Sequence, residues 1–314
     1  MDGVGLRDTD VGNAVNLAYK PTLENCFKNY PVLKLKAHGK AVGLPSDDDM
    51  GNSEVGHNAI GAGQVYSQGA KLVSESIETK ALYDSPVWKS LLSGAVNGGT
   101  LHFLGLLSDG NVHSHIDHLL AMLEEAKREG VKRARVHILL DGRDVGETSA
   151  LKYVDQLEAK LAELNNADTD FRIASGGGRM KITMDRYGAN WGMVEAGWKT
   201  HVLGEGRGFA STKEAIETYR NEIPGVIDQD LPAFVITEDG KPVGTIEDGD
   251  SVILFNFRGD RAQEITAAFE GDSSFDKFDR VRVPAVQYAG MNHQKNILHP
   301  FGPYIKNWQK QNHG

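Results

Sequence analysis

Continuous apolar runs that alternate with amphipathic segments dominate the sequence after residue 99. The four clearest runs are LHFLGLLSD (Leu101–Asp109), RARVHILLD (Arg133–Asp141), FRIAS (Phe171–Ser175) and SVILFNF (Ser251–Phe257). Runs without regular polar interruption are typical of strands that are covered on both faces. Apolar residues at helical spacing follow two of them, in His115–Glu129 and Ser149–Leu164. The alternation predicts βαβ units, and therefore an α/β fold built on a mostly parallel sheet.

Local signals add three further elements to this prediction. Ser211 and Glu214 have the spacing of a capping box, which predicts a helix up to about Asn221. The stretch AFVITEDGKPVGTI predicts a hairpin that turns at Asp239-Gly240. A further helix is predicted to begin near Asp260, directly after the last apolar run.

The first 72 residues are irregular and rich in glycine. Short helices are predicted near Gly12–Tyr19 and from Ser53 towards Gly61. Ser67–Asp84 is predicted to be a connecting helix or a hinge, and the last stretch of the chain shows no periodicity. We therefore divide the chain into residues 1–72, a regular domain at 73–288 and a divergent tail at 289–314.

Composition excludes several classes of partner. The formal net charge of the 314 residues is −9, which disfavours sequence-independent binding to nucleic acid and binding to anionic lipid. Cys26 is the single cysteine, so an internal disulfide cannot form. Neither a signal peptide nor a long apolar run is evident. We expect a cytoplasmic protein without nucleic-acid or membrane partners.

Arginines follow the carboxyl ends of several predicted strands. They are Arg143, Arg179 with Arg186 further along, and the pair Arg258 and Arg261. Ligands of open α/β sheets bind at that edge, and the guanidinium fork suits phosphate and carboxylate. Any one of these arginines alone is more often part of a surface ion pair. The set as a whole predicts a site for a small anionic substrate.

Three histidines, His113, His115 and His118, follow the first apolar run, and two interpretations remain open for them. A His-x-His at a strand end can begin a metal site, as in metal-dependent amidohydrolases. In the other interpretation His113 donates to a substrate phosphate, His115 caps its helix and His118 is solvated. His113 is the functional candidate, because it lies on the same edge as the arginines.

Ser53, in GNSEVGH, lies at a predicted helix N-terminus. A serine there usually only caps the helix. It is not a hydrolase nucleophile elbow, because Val55 replaces the required glycine. The functional alternative is a nucleophile beside metal ions that accepts a phosphoryl group. Asp2 could supply a carboxylate to such a metal.

Several long motifs together resemble the 2,3-bisphosphoglycerate-independent phosphoglycerate mutases. The similarity extends from Asp2 to about Gly290, and its form is most similar to the plant and trypanosomatid branch. The motifs are DGVG, MGNSEVGHNAIGAGQV, GLLSDGNVHSHIDHL, DGRDVGETSA, GGGRMKITMDRY and NFRGDRAQE.

The resemblance implies an alkaline-phosphatase-like metal domain interrupted by an inserted phosphotransferase domain. Such enzymes interconvert 3-phosphoglycerate and 2-phosphoglycerate through a phosphoserine, with two divalent metals, usually Mn²⁺ or Mg²⁺. Ser53 would be the nucleophile and, with Asp2, a metal ligand. Arg258 and Arg261 would hold the phosphate. The full set of implied substrate-binding residues is His113, Arg143, Asp144, Arg179, Arg186, Arg258 and Arg261. Nothing in the sequence requires an oligomer, so we expect a monomer.

Two departures from the family pattern affect the expected activity. Met1 stands where the family has an apolar strand before Asp2, and no Asp-x-x-x-His or Asp-His follows Arg261. We therefore expect a truncated chain that lacks most metal ligands, packs poorly over residues 1–72 and has little or no mutase activity. Two alternatives stay open: a non-catalytic phosphoglycerate-binding remnant, and a metal-dependent phosphohydrolase of the alkaline phosphatase superfamily.

Overall fold

Strands from residue 101 onwards form one sheet in the computed structural model, which describes residues 4–65, 67 and 69–291. The strands are β1 (Leu101–Leu107), β2 (Arg133–Leu140), β3 (Asp170–Gly178), β4 (Arg207–Phe209), β5 (Phe234–Glu238), β6 (Lys241–Pro242), β7 (Ser251–Leu254) and β8 (Gln287–Gly290). Their order is β4-β5-β3-β2-β1-β7-β8, and β6 pairs with β5. Antiparallel pairing occurs between β3 and β5 and between β5 and β6. The prediction of a mostly parallel α/β sheet is confirmed.

Strand β1 pairs in parallel with β2 on one side and with β7 on the other. Leu107 lies opposite Leu140 of β2, and Leu104 lies opposite Leu254 of β7. The carboxyl ends of these strands therefore reach the same edge of the sheet. The chain order reverses beside β1, which makes this edge a topological switch point.

None of the helices in the described part of the chain is long and apolar enough to cross a membrane. They are α1 (Ala14–Leu17), α2 (Pro21–Asn29), α3 (Ser53–Ala62), α4 (Gly69–Glu78), α5 (Ala81–Asp84), α6 (Pro86–Val96), α7 (Ile116–Arg128), α8 (Ala150–Leu164), α9 (Trp191–His201), α10 (Thr212–Glu222) and α11 (Gln263–Glu270). Short 3₁₀ turns lie at Gly39–Val42, Asp228–Asp230 and Gly259–Arg261.

Two helices, α7 and α10, are capped by residues that the sequence signals indicated. His115 Nδ1 accepts a hydrogen bond from the Asp117 amide at 3.2 Å and caps α7. Ser211 Oγ accepts one from the Glu214 amide at 3.2 Å and caps α10. The predicted hairpin is also present, since β5 and β6 are joined by Asp239, whose φ is 50°, and a glycine at 74°. Positive φ at both central residues is the signature of a type I′ turn.

Aromatic packing on one face of the sheet includes elements that the sequence pattern did not predict. Trp198 of α9 lies 4.9 Å from Phe269 of α11, measured between ring centroids, and Phe269 stacks on Tyr288 of β8 at 4.9 Å. Helix α6 was also not predicted. Within Ser67–Asp84, predicted to be a connecting helix or a hinge, the structure has α4 and α5.

Strand β3 is longer than the predicted Phe171–Ser175, because it continues through Gly176–Gly178. Glycine normally weakens a strand, but here close approach of other chain segments requires it. A Cβ at Gly178 would clash with the carbonyl oxygen of Gln229. The missing side chain therefore lets a neighbouring loop lie against the strand end.

Residues 1–71 form a compact unit of their own, separate from residues 72–314. In its described part a small apolar cluster is formed by Val42, Leu44 and Val55. Large apolar side chains are otherwise widely exposed, among them Tyr19 at 95% and Leu33 at 82%. Most of the apolar surface described in this unit therefore faces solvent.

The burial of His118 predicts that the protein becomes less stable at low pH. The side chain is buried in α7, and its Nε2 lies 2.9 Å from Ser74 Oγ. Burial lowers its pKa from 6.5 to about 3, so between these values the unfolded chain binds a proton that the folded chain does not. Its contribution to stability is present above pH 6.5 and is lost as the pH falls towards 3. The free energy of unfolding of the unsubstituted protein should therefore decrease between about pH 7 and about pH 5. In His118→Gln this decrease should be smaller by about 2 kcal/mol, because the shifted group is absent.

Urea denaturation followed by tryptophan fluorescence measures this difference. His38→Gln is the matched control, because His38 is exposed and lies in the first unit. We expect that variant to keep the original pH dependence. An equally steep decrease in His118→Gln would contradict the prediction.

Candidate anion-binding site at the carboxyl edge of the sheet

The sequence-predicted substrate residues of the sheet unit meet at the carboxyl edge of the central strands. They come from four strand ends: one residue after β1, two after β2, one after β3 and two after β7, with Arg186 in the loop before α9. We call the set the rim: His113, Arg143, Asp144, Arg179, Arg186, Arg258 and Arg261.

Asp141, at the end of β2, organises the turn that carries two rim residues. Its Oδ1 accepts hydrogen bonds from the amides of Arg143 and Asp144, both at 3.1 Å. Its Oδ2 accepts one from Ser108 Oγ at 2.6 Å, which ties the end of β2 to the end of β1. Asp141 is 2% exposed, so this carboxylate is part of the framework beneath the site.

Arg179 is buried and pairs with the same carboxylate. Its Nη1 lies 2.9 Å from Asp141 Oδ1 and also contacts Asp144 Oδ2. Its amide donates to the Leu140 carbonyl at 3.0 Å, which continues the connection between β3 and β2. A buried ion pair of this kind fixes the Asp144 side chain at the rim.

His113 lies at the centre of the rim and is 3% exposed. Its Nδ1 lies 3.6 Å from Asp260 Oδ1, and its Nε2 lies 4.0 Å from Asp144 Oδ2. Burial lowers its pKa well below 6.5, and the charges of Arg179 and Arg258 lower it further. His113 is therefore neutral and presents one N–H donor in a strongly positive environment.

Asp260 lies between two rim arginines. Its Oδ2 lies 3.0 Å from Arg258 Nη2 and 3.2 Å from Arg186 Nη2. The guanidinium of Arg186 also packs on the Tyr187 ring at 4.8 Å from its centroid. One carboxylate thus holds two guanidinium groups beside His113.

Two further rim arginines, Arg143 and Arg261, form no ion pair with a carboxylate of the described residues. Arg143 is exposed, whereas Arg261 is partly buried and donates from Nη1 to the Met184 carbonyl at 2.8 Å. Burial lowers the pKa of Arg261, and the neighbouring charge of Arg179 lowers it further. An anion bound here would relieve that repulsion.

The structure corrects one interpretation of the histidine cluster. His118, expected to be solvated, is buried against Ser74, while His115 caps α7 as expected. Within the described ranges, no group of three or more His, Cys, Asp or Glu side chains could hold a metal ion. The amidohydrolase-like metal site at His113 and His115 is therefore not supported.

Ser53 is the first residue of α3 and is exposed. Asn52 caps the helix instead, since its side chain accepts from the Glu54 and Val55 amides. His57 Nδ1 lies 2.8 Å from the Ser53 carbonyl and 3.2 Å from Ser53 Oγ. Because the carbonyl can only accept, Nδ1 carries a proton and cannot take the one on Ser53 Oγ.

The described residues do not fit a two-metal centre at Ser53. Metal binding needs several deprotonated ligands at one point, and no such group occurs in the part of the chain that the structure describes. Asp2, the expected carboxylate ligand, lies outside the described residues.

Asp141 and Asp260 were not among the predicted site residues. Their positions carried a signal, because Asp141 ends an apolar run and Asp260 lies between Arg258 and Arg261. Which carboxylate faces which arginine depends on strand order, and the linear sequence does not contain that information.

Arg179 and Arg143 are expected to differ sharply in their effect on stability. Arg179→Gln leaves the buried Asp141 carboxylate without its counter-charge, which should lower the free energy of unfolding by about 3–5 kcal/mol. Arg143→Gln removes an exposed side chain and should change it by less than about 0.5 kcal/mol. Chemical denaturation of both variants measures the difference. Equal stabilities would show that Arg179 has no structural role beneath the rim.

Comparison with known proteins shows similarity to one family. The family described as BPG-independent PGAM N-terminus matches residues 73–296. A probable 2,3-bisphosphoglycerate-independent phosphoglycerate mutase of Leptospira interrogans is 58% identical over 93% of this chain and 54% of its own length. The mutase of Trypanosoma brucei is 52% identical over 93% of this chain and 53% of its own length. A probable mutase of Arabidopsis thaliana is 50% identical over 93% of this chain and 52% of its own length.

A solved structure agrees with these similarities. Leishmania mexicana phosphoglycerate mutase, determined at low cobalt concentration, superimposes with a TM-score of 0.89 at 49% identity and covers 95% of this chain and 56% of that one. The chain thus spans about half the length of the curated relatives it matches. The match of residues 73–296, together with identities of 50–58% to named mutases, shows that the chain belongs to the family of 2,3-bisphosphoglycerate-independent phosphoglycerate mutases.

Proposed function

We propose that the rim binds a phosphoglycerate during the interconversion of 3-phosphoglycerate and 2-phosphoglycerate. Residues 73–288 would form the substrate-clamp domain, and residues 1–72 would belong to the metal-dependent phosphatase-like domain. Family membership supports the substrate class, and the convergence of five arginines at one sheet edge supports the site. Guanidinium groups bind phosphate and carboxylate through paired hydrogen bonds.

The environment of the Arg261 side chain is the main observation that supports this proposal. Its guanidinium is partly buried and forms no ion pair with a carboxylate of the described residues. Burial and the charge of Arg179 lower its pKa, and the more distant Asp260 carboxylate opposes this effect without reversing it. Burying unbalanced positive charge is unfavourable unless a ligand compensates it. A phosphate dianion would supply that compensation.

We assign the chemical groups of the substrate to different residues of the rim. We place the phosphate on Arg258 and Arg261, and the carboxylate and hydroxyls of glycerate on Arg143 and Asp144. His113 would donate its single N–H to a phosphate oxygen. Asp260 would have to share Arg258 with the ligand, since it already lies 3.0 Å from that guanidinium.

Ser53 would carry the phosphoryl group between the two glycerate oxygens. A bond forms from Ser53 Oγ to phosphorus as the bond from phosphorus to the glycerate oxygen breaks, and the released oxygen takes up the proton that Ser53 loses. The reverse step at the neighbouring oxygen completes the interconversion. The whole protein would use two divalent metals, Mn²⁺ or Mg²⁺.

A second candidate function is phosphoglycerate binding without turnover by this chain alone. It is favoured by the lack of a metal-binding group among the residues that the structure describes. The metal-dependent phosphohydrolase alternative is less favoured, because the rim is intact. A coupled mutase assay with added Mn²⁺ separates the candidates: turnover that Ser53→Ala abolishes supports the mutase function, and binding alone supports the second candidate.

Isothermal titration with 3-phosphoglycerate tests the site itself. We expect binding to the unsubstituted chain without added metal, and at least about tenfold weaker binding to Arg261→Met, because a charged contact to phosphate is lost. Titration with inorganic phosphate should show the same loss.

Arg133→Met is the matched control for that titration. Arg133 is exposed at the opposite end of β2 and donates to the Gly98 carbonyl at 2.9 Å. Arg133→Met removes the same positive charge as Arg261→Met. The affinity for 3-phosphoglycerate should nevertheless change by less than about twofold. Equal losses in the two variants would show that total charge, and not the rim, determines binding.

A further inference from the structure

A continuous chain of buried polar side chains crosses the sheet beneath the rim. It links Asp250, just before β7, to the loop that carries Arg186. The contacts are Asp250 Oδ2 to His102 Nε2 (3.1 Å), His102 Nδ1 to His137 Nε2 (2.9 Å), His137 Nδ1 to Ser175 Oγ (2.7 Å), Ser175 Oγ to His201 Nδ1 (2.8 Å) and His201 Nε2 to Thr183 Oγ1 (3.0 Å). We call it the histidine chain.

The three imidazoles of the histidine chain are neutral. Burial lowers the pKa of His102 and of His137, and it lowers the pKa of His201 to about 3. Each imidazole therefore has one donor nitrogen and one acceptor nitrogen.

The direction of every hydrogen bond follows from the Asp250 carboxylate, which can only accept. His102 must donate from Nε2, so its Nδ1 accepts from His137 Nε2. His137 Nδ1 then accepts from Ser175 Oγ, whose oxygen in turn accepts from His201 Nδ1. His201 Nε2 must accept from Thr183 Oγ1. Each hydrogen bond of the histidine chain therefore has one proton and one acceptor. Only one tautomer of each histidine is compatible with all of these bonds.

The histidine chain ends at a residue with a strained backbone. Thr183 has a φ of 70°, a left-handed conformation that is costly for a β-branched side chain. Its amide donates to the Met193 carbonyl at 2.9 Å. A Cβ at Gly197 of α9 would clash with Thr183 Oγ1, so glycine at that position makes room for the hydroxyl.

The strained turn supports two rim arginines. Met184, next to Thr183, accepts from Arg261 Nη1 at 2.8 Å through its carbonyl, and Arg186 follows two residues later. The backbone of the turn is tightly wound, because the Asp185 amide donates to the Thr183 carbonyl at 3.0 Å. A change in the Thr183 conformation would therefore displace the groups that hold Arg261.

We infer that the histidine chain positions two rim arginines, Arg186 and Arg261, by holding Thr183 in its strained conformation. His102, His137, His201, Ser175 and Thr183 are thus positioning residues, which act through Arg186 and Arg261. This inference rests on the proposed function, since it takes the rim to be the phosphoglycerate site.

Thr183→Val tests the inference, because it keeps the β-branched shape and removes the donor to His201. We expect 3-phosphoglycerate affinity at 25 °C to fall by about tenfold, and Thr183→Ser to restore it to within about threefold. Thr200→Val is the matched control, since Thr200 is equally buried in α9 but donates only to its own helix, at the Ala196 carbonyl. Its affinity should change by less than about twofold.

A purely structural role gives a different result. Thr183→Val would then lower the free energy of unfolding but leave the affinity of the folded protein unchanged, and that outcome would overturn the inference. Nitrogen NMR of histidine-labelled protein adds an independent readout. We expect His102 and His137 as Nε2–H tautomers and His201 as the Nδ1–H tautomer; any other tautomer, or an imidazolium near neutral pH, would also overturn the inference.

Amide hydrogen exchange separates failure of this inference from failure of the proposed function. If the unsubstituted chain does not bind 3-phosphoglycerate, the proposed function fails, and the positioning of the turn is read from exchange at Met184 and Asp185 alone. Faster exchange there in Thr183→Val than in Thr200→Val supports positioning of the turn. Equal exchange rates overturn it.

Discussion

Parallel pairing of β1 with β2 and β7 determines where most candidate binding residues of the sheet unit lie. It brings the ends of these strands to one edge and places the reversal of chain order beside β1. His113 follows β1, and its carbonyl accepts from the Phe257 amide at 2.8 Å, so the loops after β1 and β7 are fixed to each other. The rim is therefore a consequence of strand order.

The rim contains arginines that form ion pairs with carboxylates and arginines that do not. Asp141 and Asp260 hold guanidinium groups in place, and Arg179 is buried against the first of them. Arg261 remains without a carboxylate partner within the described part of the chain. In the proposed function such a site would bind an anion by exchanging internal ion pairs for ligand contacts. The histidine chain below it would limit how far the arginines move in that exchange.

Sequence reasoning predicted the elements whose signal is local. Apolar runs marked β1, β2 and β7, and the caps of α7 and α10 were read from single residues. Helix α9 and strand β8 were missed because they are defined by packing partners distant in sequence, such as Phe269 against Trp198. The extension of β3 through three glycines opposes local propensity and depends on close approach by Gln229. The rim arginines were found by their positions after strands, whereas the roles of Asp141 and Asp260 required the three-dimensional arrangement.

A crystal structure of the chain with 3-phosphoglycerate bound measures the central claim most directly. The account predicts phosphate oxygens at hydrogen-bonding distance, about 3 Å, from the guanidinium groups of Arg258 and Arg261. The Arg261 side chain would keep its contact with the Met184 carbonyl. Phosphate bound at any other surface, with the ion pairs of the rim unchanged, would contradict the account.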